Sequence, residues 1–500
     1  MSRVSRLLGG AAVAFVLSCA MGAHVAQAAK RSAKPAPPPT LEQRLNALLR
    51  RGPVRRSEIG VVVTRLGEAT PLVSLNPARP LVLASTTKLF TTAAALDRLG
   101  PEYKFRTRLY RDADIGEDGV LPGHLVVMGG GDPGISGRWY DDDPLAVFRP
   151  WAASLAKKGL RSVRDGLLLD ISFFDDVRCH PDWPSEQEQR WYQAPVSALS
   201  YNDNIVLVRA SGGLRPGSPA LLGFDPLGPP LLNLISKVVT AAQRTWVGVH
   251  REAGSHTVVA AGRVGRNRTW VGDVTVPDPP LYFTAALTQV LRETGIRVDA
   301  PPTLKTEPAA GPLPLPGRVL LHTHETPLLS ALAVCNKRSQ SFFAEQILKT
   351  LGAETRGRGT WENGRAEVAA FLSSLGLDAT RYRLADGSGR AHTNVASAAA
   401  YVDFLTALAT RWKHFEAFKE TLAVAGGPDG TLRHRLQGEA TAGKVWAKTG
   451  YVDGVVTLCG YVQAESGQTY AFSILLNGGC SDVRGHVFQD RFVNELAKFG

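Results

Sequence analysis

The sequence is poor in cysteine, with five in 500 residues, and four of them follow the N-terminal segment: Cys179, Cys335, Cys459 and Cys480. So few cysteines in so long a chain exclude a disulfide scaffold, and a folded core must supply the stability. The even number permits three disulfide pairings. We favour free, buried thiols for at least one pair.

Long hydrophobic runs, dense basic runs and internal repeats are missing as well. After the N-terminal segment no stretch reaches 18 unbroken apolar residues, so we expect no transmembrane segment in the mature chain. The formal net charge of +12 falls to +10 without Arg3 and Arg6 and is spread thinly, which argues against nucleic acid as a partner. The composition, 44% hydrophobic and 20% charged, is that of an ordinary globular protein large enough for two or three domains.

Two common catalytic motifs are also missing, G-x-S-x-G and H-E-x-x-H. His322-Thr323-His324-Glu325 has the alternation of metal ligands on a strand, but no third ligand lies nearby in the sequence. We therefore expect these residues to be solvated polar groups ahead of a helix, and we expect neither a metal nor an organic cofactor.

The N-terminal segment has the features of a secretory signal peptide. Arg3 and Arg6 precede an apolar run from Leu7 to Cys19, and small residues at 26–28 resemble a cleavage site. We predict a signal peptide over 1–28, a Pro/Ala-rich linker over 29–40, and export to the periplasm or cell-wall space. The alternative is a lipoprotein whose mature N-terminus is Cys19.

The rest of the chain changes character twice. Residues 41–100 and 278–500 read as mixed helix and strand, whereas 101–277 are rich in short alternating strands and glycine turns. Three strands and a helix end the chain, with turns at Asp453-Gly454 and Ser466-Gly467. These patterns predict one discontinuous α/β domain made of 41–100 and 278–500, interrupted by the β-rich insertion 101–277, with the last strands completing the sheet that the first strands begin.

Ser85-Thr86-Thr87-Lys88 opens a predicted helix that ends before Gly100. The spacing puts Ser85 and Lys88 on one helical face, and a lysine in a partly dry site can lose its proton and act as a base toward a serine. The spacing alone is weak evidence, because Ser154 and Lys157 repeat it in what reads as an ordinary amphipathic helix.

Lys448-Thr449-Gly450 ends a predicted strand of the C-terminal meander. Such a strand offers a cation for a substrate carboxylate, a hydroxyl, and backbone N–H groups beside a reacting carbonyl. A lysine at the end of a surface strand is the simpler interpretation of this motif when it is taken alone.

Taken together the motifs follow the order S-x-x-K, second serine motif, K-T-G. With them, the sequence blocks resemble the D-alanyl-D-alanine carboxypeptidase/endopeptidases, the class C low-molecular-mass penicillin-binding proteins. The blocks that carry this resemblance are ASTTKLFTTAAALDRL at 84–99, GGGDP at 129–133, APVSALSYNDN at 194–204, NKRSQSFFAEQILKTLG at 336–352, DGSG at 386–389, AVAGGPDGTL at 423–432 and AKTG at 447–450. The resemblance implies a serine β-lactamase/transpeptidase-like domain of α/β (α+β) class, with a long β-rich insertion that forms two extra domains.

The resemblance also implies roles for eight residues. Ser85 is the nucleophile, Lys88 its general base, and Ser339 relays a proton to the leaving amine. The substrate-binding set is Ser341, Lys448, Thr449, Gly450 and Tyr451, in which Lys448 and Thr449 hold the terminal carboxylate and the N–H groups of Ser85 and Tyr451 form the oxyanion hole. The implied partners are peptidoglycan stem peptides as substrates and β-lactams as covalent inhibitors.

The sequence departs from the family pattern at Ser341, where an asparagine is expected, and at Tyr451, where threonine is usual. A hydroxyl is shorter than an amide and donates differently, so the second motif is altered in its chemistry. We favour an active, exported D-Ala-D-Ala carboxypeptidase that also acts as an endopeptidase. The alternatives are a catalytically weakened cell-wall binder or scaffold and a β-lactamase-like hydrolase.

Overall fold

The computed structural model describes residues 38–55, 58–226, 232–307 and 317–500. The predicted signal peptide and residues 29–37 of the predicted linker lie outside the described residues. Residues 38–40 are exposed and belong to no helix or strand, and residues 41–500 form one unit. Within the described ranges no helix is both long enough and apolar enough to cross a membrane.

The α-helices are spread along the whole described part of the chain. In the described part of the chain they are α1 (Leu41–Leu49), α2 (Lys88–Leu99), α3 (Arg149–Lys157), α4 (Pro279–Glu293), α5 (Leu328–Lys337), α6 (Ser341–Arg356), α7 (Trp361–Ser374), α8 (Ala398–Arg411), α9 (Phe415–Glu420) and α10 (Asp482–Phe499).

The strands range from two to nine residues in length. Over the same described ranges they are β1 (Ile59–Arg65), β2 (Val73–Leu75), β3 (Pro80–Val82), β4 (Lys104–Arg111), β5 (Val120–Leu121), β6 (Leu125–Met128), β7 (Ser162–Val163), β8 (Leu167–Asp170), β9 (Ile205–Ser211), β10 (Leu221–Asp225), β11 (Asn233–Ala241), β12 (Trp246–Arg251), β13 (Thr257–Gly265), β14 (Thr269–Thr275), β15 (Arg297–Val298), β16 (Thr303–Lys305), β17 (Val319–Pro327), β18 (Tyr382–Arg383), β19 (Val395–Ser397), β20 (Ala423–Val424), β21 (Val445–Val452), β22 (Val455–Gln463) and β23 (Thr469–Leu476).

A six-stranded sheet joins the two ends of the unit in the order β2-β1-β23-β22-β21-β20. Strand β1 pairs antiparallel with β23, with Ile59 opposite Leu476, which confirms that the last strands complete the sheet begun by the first. Alternate side chains of β1 point to opposite faces. Val61 and Val63 pack in the cluster that holds α1 and α10, and Val62 packs in the cluster that holds α2 and α8. The sheet is therefore covered by helices on both faces.

The strands between residues 104 and 275 form further sheets. One has five strands in the order β16-β8-β6-β4-β17, and three three-stranded sheets have the orders β10-β9-β14, β11-β13-β12 and β15-β7-β5. Strands β16 and β17 belong to the five-stranded sheet, because they pair with β8 and β4. Helix α4 packs Phe283 against Phe148 and Trp151 of the same region.

These pairings bear on where the insertion ends. The predicted boundary after residue 277 passes through one sheet and separates α4 from the aromatic side chains that it covers. The pairing of strands far apart in sequence leaves no local signal. The boundary was therefore predicted from the change in local sequence pattern near residue 277. We propose that the inserted region extends to the end of β17 at Pro327.

The two histidines of the His-Thr-His-Glu segment lie on β17 directly ahead of α5, as expected, but they are partly buried rather than fully solvated. Their rings pack against Trp151 at centroid distances of 5.8 Å for His322 and 5.2 Å for His324. Burial lowers the pKa of His324 to about 4. In the described residues no group of three His, Cys, Asp or Glu side chains is placed to hold a metal ion. The four cysteines after the N-terminal segment are all free thiols.

Candidate active site

Ser85 lies in a 3₁₀ turn, Ala84–Thr87, that leads directly into α2. The predicted helix was expected to begin at Ser85, whereas the α-helix begins at Lys88. The turn is held against the central sheet because Thr457 Oγ1 on β22 donates to the Leu83 carbonyl at 2.8 Å. Ala84, the residue directly before Ser85, adopts a φ of +48°, a conformation that L-residues rarely take.

Lys88 is completely buried and its ammonium group contacts three oxygens. Its Nζ lies 2.9 Å from Ser85 Oγ, 2.8 Å from the carbonyl oxygen of Ser388 and 3.3 Å from Ser341 Oγ. Burial lowers the pKa of Lys88 to about 8, against the opposing influence of Cys335, Glu345 and Asp386. A lysine of this pKa is neutral in part of the population near neutral pH, so it can accept a proton from the neighbouring hydroxyl.

The Ser339-Gln340-Ser341 segment links α5 to α6. Helix α6 begins at Ser341 rather than at Ser339 as the pattern predicted, because Ser339 adopts a φ of +59°. This bend sends the two hydroxyls in different directions. Ser339 Oγ accepts from Lys448 Nζ at 2.7 Å, and Ser341 Oγ accepts from Lys88 Nζ.

Strand β21 carries Lys448 and Thr449 next to each other along one side of the site. Lys448 is completely buried, and burial, followed by the charge of Lys88, lowers its pKa well below the ordinary value for lysine. Thr449 Oγ1 donates to Thr431 Oγ1 at 2.9 Å, which fixes its hydroxyl at the site. A buried cation and an oriented hydroxyl form a receptor for a carboxylate.

Gly450 lets β21 approach the nucleophile turn closely. A Cβ at this position would lie 3.0 Å from the amide nitrogen of Ser85 and 2.1 Å from Thr457 Oγ1, so a side chain would push the strand away. The backbone that continues into Tyr451 therefore runs beside the Ser85 amide. Two N–H groups on adjacent segments are the usual composition of an oxyanion hole.

A cleft of about 920 Å³ opens over these groups. Six of the eight predicted site residues line it, and the other two, Lys88 and Lys448, are buried beneath its floor. Tyr451 is 53% exposed at its edge. Trp191 and Tyr192 from the β-rich region and Arg390 from the loop after Ser388 form part of its wall.

The sequence analysis missed several residues that hold the site together. Glu345 is buried in α6 and accepts hydrogen bonds from the backbone of the 386–389 loop, and Thr431 orients Thr449. Asp203, from the β-rich region, accepts from Gln340 Nε2 at 2.7 Å and pairs with Arg138. One signal was available for Glu345, because it is a lone acidic residue that directly follows the apolar residues Phe342-Phe343-Ala344. For Thr431 and Asp203 no comparable signal exists.

The comparisons with known proteins show the fold. A crystal structure of penicillin binding protein 4 (dacB) from Haemophilus influenzae matches with a TM-score of 0.77 at 23% sequence identity, and the match covers 91% of this chain and 99% of that one. The expected fold class, an α/β (α+β) transpeptidase-like domain with additional sheets, is confirmed.

Sequence comparisons extend over almost the same length. A D-alanyl-D-alanine carboxypeptidase from an Actinomadura species is 31% identical over 476 residues, covering 92% of this chain and 85% of that protein. The D-alanyl-D-alanine carboxypeptidase DacB of Haemophilus influenzae is 24% identical over 459 residues, covering 89% of this chain and 92% of that protein. The sequence profile of the D-Ala-D-Ala carboxypeptidase 3 (S13) family matches residues 41–498. From its first helix to its last, the chain belongs to this family of serine hydrolases.

Proposed function

We propose that this protein is exported and removes the terminal D-alanine from peptidoglycan stem peptides through an acyl-enzyme on Ser85, and that it also cleaves peptide cross-links as an endopeptidase. The observation that carries the proposal is the 2.9 Å contact between Ser85 Oγ and the completely buried Nζ of Lys88. With a pKa of about 8, roughly a tenth of Lys88 is neutral at pH 7, which provides a base at the nucleophile.

In the acylation step the Ser85 oxygen attacks the carbonyl carbon between the two D-alanines while its proton moves to Lys88 Nζ. The carbonyl oxygen gains negative charge and is stabilised by the N–H groups of Ser85 and Tyr451. The C–N bond then breaks, and the leaving nitrogen takes the proton of the Ser339 hydroxyl, which Lys448 Nζ replaces across their 2.7 Å contact. The products are free D-alanine and an ester on Ser85.

The terminal carboxylate of the substrate is held by Lys448 and Thr449. A carboxylate beside Lys448 raises the pKa of this lysine, because the opposite charge favours the ammonium form. Both lysines are buried, and the charge of Lys88, after burial, contributes to the lowered pKa of Lys448. Carboxylate binding counteracts this effect, so substrates with a free C-terminus are favoured over amidated ones.

Deacylation completes the cycle. Water attacks the ester carbon and its proton moves through Ser339 to Lys448, while the Ser85 oxygen takes back a proton from Lys88 as the C–O bond breaks. The released product is the shortened peptide with a free carboxyl group, and both lysines return to their starting states. Nζ of Lys88 lies 2.9 Å from Ser85 Oγ, and Nζ of Lys448 lies 2.7 Å from Ser339 Oγ. Each lysine can therefore exchange a proton with a hydroxyl that takes part in the reaction.

The contact between Ser341 and Lys88 supports turnover over the alternative of an inactive binder. Ser341 stands where the family has asparagine, and its hydroxyl still reaches Lys88 Nζ at 3.3 Å. The 920 Å³ cleft lies at the upper end of the range for small-molecule pockets, which leaves room for more of a stem peptide than its last two residues. The export signal at 1–28 would bring the enzyme to this substrate.

Intact mass after incubation with benzylpenicillin tests the acyl-enzyme. We expect a covalent adduct on the wild type and none on Ser85→Ala, together with release of D-alanine from a pentapeptide by the wild type only. A protein that forms no adduct and releases no D-alanine would be the cell-wall binder. Rapid loss of the drug with no lasting adduct would indicate the β-lactamase-like hydrolase.

A further inference from the structure

A buried carboxylate that belongs to none of the three motifs lies close to Lys88. Glu345 lies in α6, four residues after Ser341 and therefore on the same helical face, and it is completely buried. Its Oε2 accepts from the Gly387 N–H at 2.9 Å and from Trp361 Nε1 at 2.8 Å, and its Oε1 accepts from the Ser388 N–H at 2.8 Å. A carboxylate that accepts from two successive peptide groups fixes the orientation of both.

The oriented peptide faces Lys88. The carbonyl oxygen of Ser388 accepts from Lys88 Nζ at 2.8 Å, so the same loop that donates to Glu345 anchors the ammonium group. Helix α2 also holds this loop, because Thr91 Oγ1 donates to the Gly387 carbonyl at 2.9 Å. Ser388 is itself completely buried, so water offers no alternative partner for its backbone groups.

The loop also touches the nucleophile turn. Gly389 has a φ of +80°, and a Cβ there would lie 1.8 Å from the carbonyl oxygen of Ala84. The loop 386–389 therefore contacts the residue before Ser85 and the side chain of Lys88 at once. A shift of this loop moves the base relative to the nucleophile.

We infer that Glu345 is a positioning residue for the reaction, which aligns Lys88 with Ser85 through the Ser388 carbonyl and tunes the basicity of Lys88 through its charge. The inference rests on the proposed roles of Ser85 and Lys88.

The effect of Glu345 on the basicity of Lys88 depends on all the titratable groups that surround Lys88. These are Cys335 on α5, Glu345 on α6, Asp386 in the loop and Lys448 on β21. Burial lowers the pKa of Lys88, and the negative charge of Glu345 opposes this lowering. Burial also raises the pKa of Glu345 to about 7, and the neighbouring Asp386 acts in the same direction. The loop N–H groups and Trp361 favour the charged form of Glu345, as donors to a carboxylate do.

The test measures the second-order rate constant for acylation by benzylpenicillin from pH 6 to pH 10. In Glu345→Gln, the amide NH₂ faces an N–H of the loop and the negative charge is gone. We expect the high-pH maximum to fall by roughly 10- to 100-fold. We expect the midpoint of the acid limb to move to lower pH by roughly half a unit to one unit, because Lys88 loses a stabilising negative charge.

Two further variants separate the effects. Glu345→Asp keeps the charge but draws the carboxylate back by one methylene, so the maximum should fall while the midpoint stays in place. Trp361→Phe removes one donor to Glu345 but neither loop contact, so it controls for lost stability and should lower the midpoint by less than Glu345→Gln does. Unfolding curves for each variant accompany the kinetics.

If the high-pH acylation rate constant of Glu345→Gln and the midpoint of its acid limb are both those of the wild type, the inference is wrong. If that variant does not fold, Glu345→Asp decides, because a wild-type maximum in it would equally exclude positioning. Failure of the proposed function is a different result, since the wild-type enzyme would then form no adduct at any pH.

Discussion

The hydroxyl of Ser341 lies 3.3 Å from Nζ of Lys88, at the position where the S-x-N form of the second motif has an asparagine amide. The shorter side chain keeps the contact with the base but has one donor in place of two. The hydroxyl accepts from Lys88 Nζ and keeps its one proton to donate, but it extends less far toward a substrate carbonyl than an asparagine amide would. We therefore expect weaker binding of the substrate backbone, with the contact to Lys88 retained.

This relationship predicts the effect of restoring the asparagine. In Ser341→Asn the added amide can donate to a substrate carbonyl, and one extra hydrogen bond of about 1 kcal/mol corresponds to roughly a fivefold lower KM for a pentapeptide. Steady-state D-alanine release measures KM and kcat separately. Ser341→Ala is the control, and its KM should not fall. If Ser341→Asn has a KM as high as that of Ser341→Ala, the missing amide has no role in substrate binding.

The pKa of Lys88 predicts the pH dependence of acylation. The folded-state pKa, about 8, lies below the ordinary value of 10.5, so the neutral base becomes available above about pH 8. We expect the acylation rate constant to be half-maximal near pH 8 and to fall about tenfold for each pH unit below that. Stopped-flow measurement with a chromogenic cephalosporin gives the profile. A rate independent of pH between 6 and 9 would contradict the assignment of Lys88 as the base.

The same lysine links stability to pH. The folded-state pKa of Lys88 is lower than its unfolded value, so between about pH 8 and pH 10.5 the unfolded state binds more protons. The contribution of this group to the free energy of unfolding therefore rises with pH across that window and is constant below it. Urea unfolding of the wild type and of Lys88→Met, compared at pH 8 and pH 10, isolates the contribution. The difference between the two proteins should change with pH, and a constant difference would argue against a lowered pKa.

Gly389 tests the contact between the loop and the nucleophile turn. In Gly389→Ala the new Cβ meets the Ala84 carbonyl at 1.8 Å, so we expect acylation to be lost and the free energy of unfolding to fall by more than backbone strain alone explains. Gly467→Ala is a matched control, because its φ of +86° is similar and no atom lies within 4 Å of the added Cβ. Strain alone costs about 1–2 kcal/mol there. Equal losses in the two variants, with acylation intact, would contradict a close contact at Gly389.

Asp203 tests the tie between the β-rich region and the second serine motif. Its buried carboxylate pairs with Arg138 and accepts from Gln340, the residue between the two serines. Asp203→Asn should lower the free energy of unfolding by about 1–3 kcal/mol and slow acylation, because Ser339 and Ser341 lose a constraint. Asp225→Asn removes an exposed partner of Arg209 and should cost less than about 1 kcal/mol. If Asp203→Asn changes neither property, the β-rich region does not hold this motif.

Much of the site was predictable because its chemistry depends on residues close together in sequence. Ser85 and Lys88 are one turn apart, and Lys448, Thr449 and Gly450 are consecutive, so each group is visible as a motif. The start of α6 was misplaced by two residues, because the positive φ of Ser339 is imposed by contacts that the local pattern does not contain. The partial burial of the histidines on β17 was not predicted because it comes from Trp151, which is more than 170 residues away.

The sequence by itself determined which groups can react and where the longer helices and strands lie, since side-chain identity and periodicity are local properties. The low cysteine content predicted that the fold depends on its core, and the four thiols are indeed free. Only the tertiary structure decided that Ser339 contacts Lys448 while Ser341 contacts Lys88, and that Glu345 stands behind the base. These relationships join residues from distant parts of the chain, and burial, which sets the basicity of Lys88, exists only once those parts have packed together.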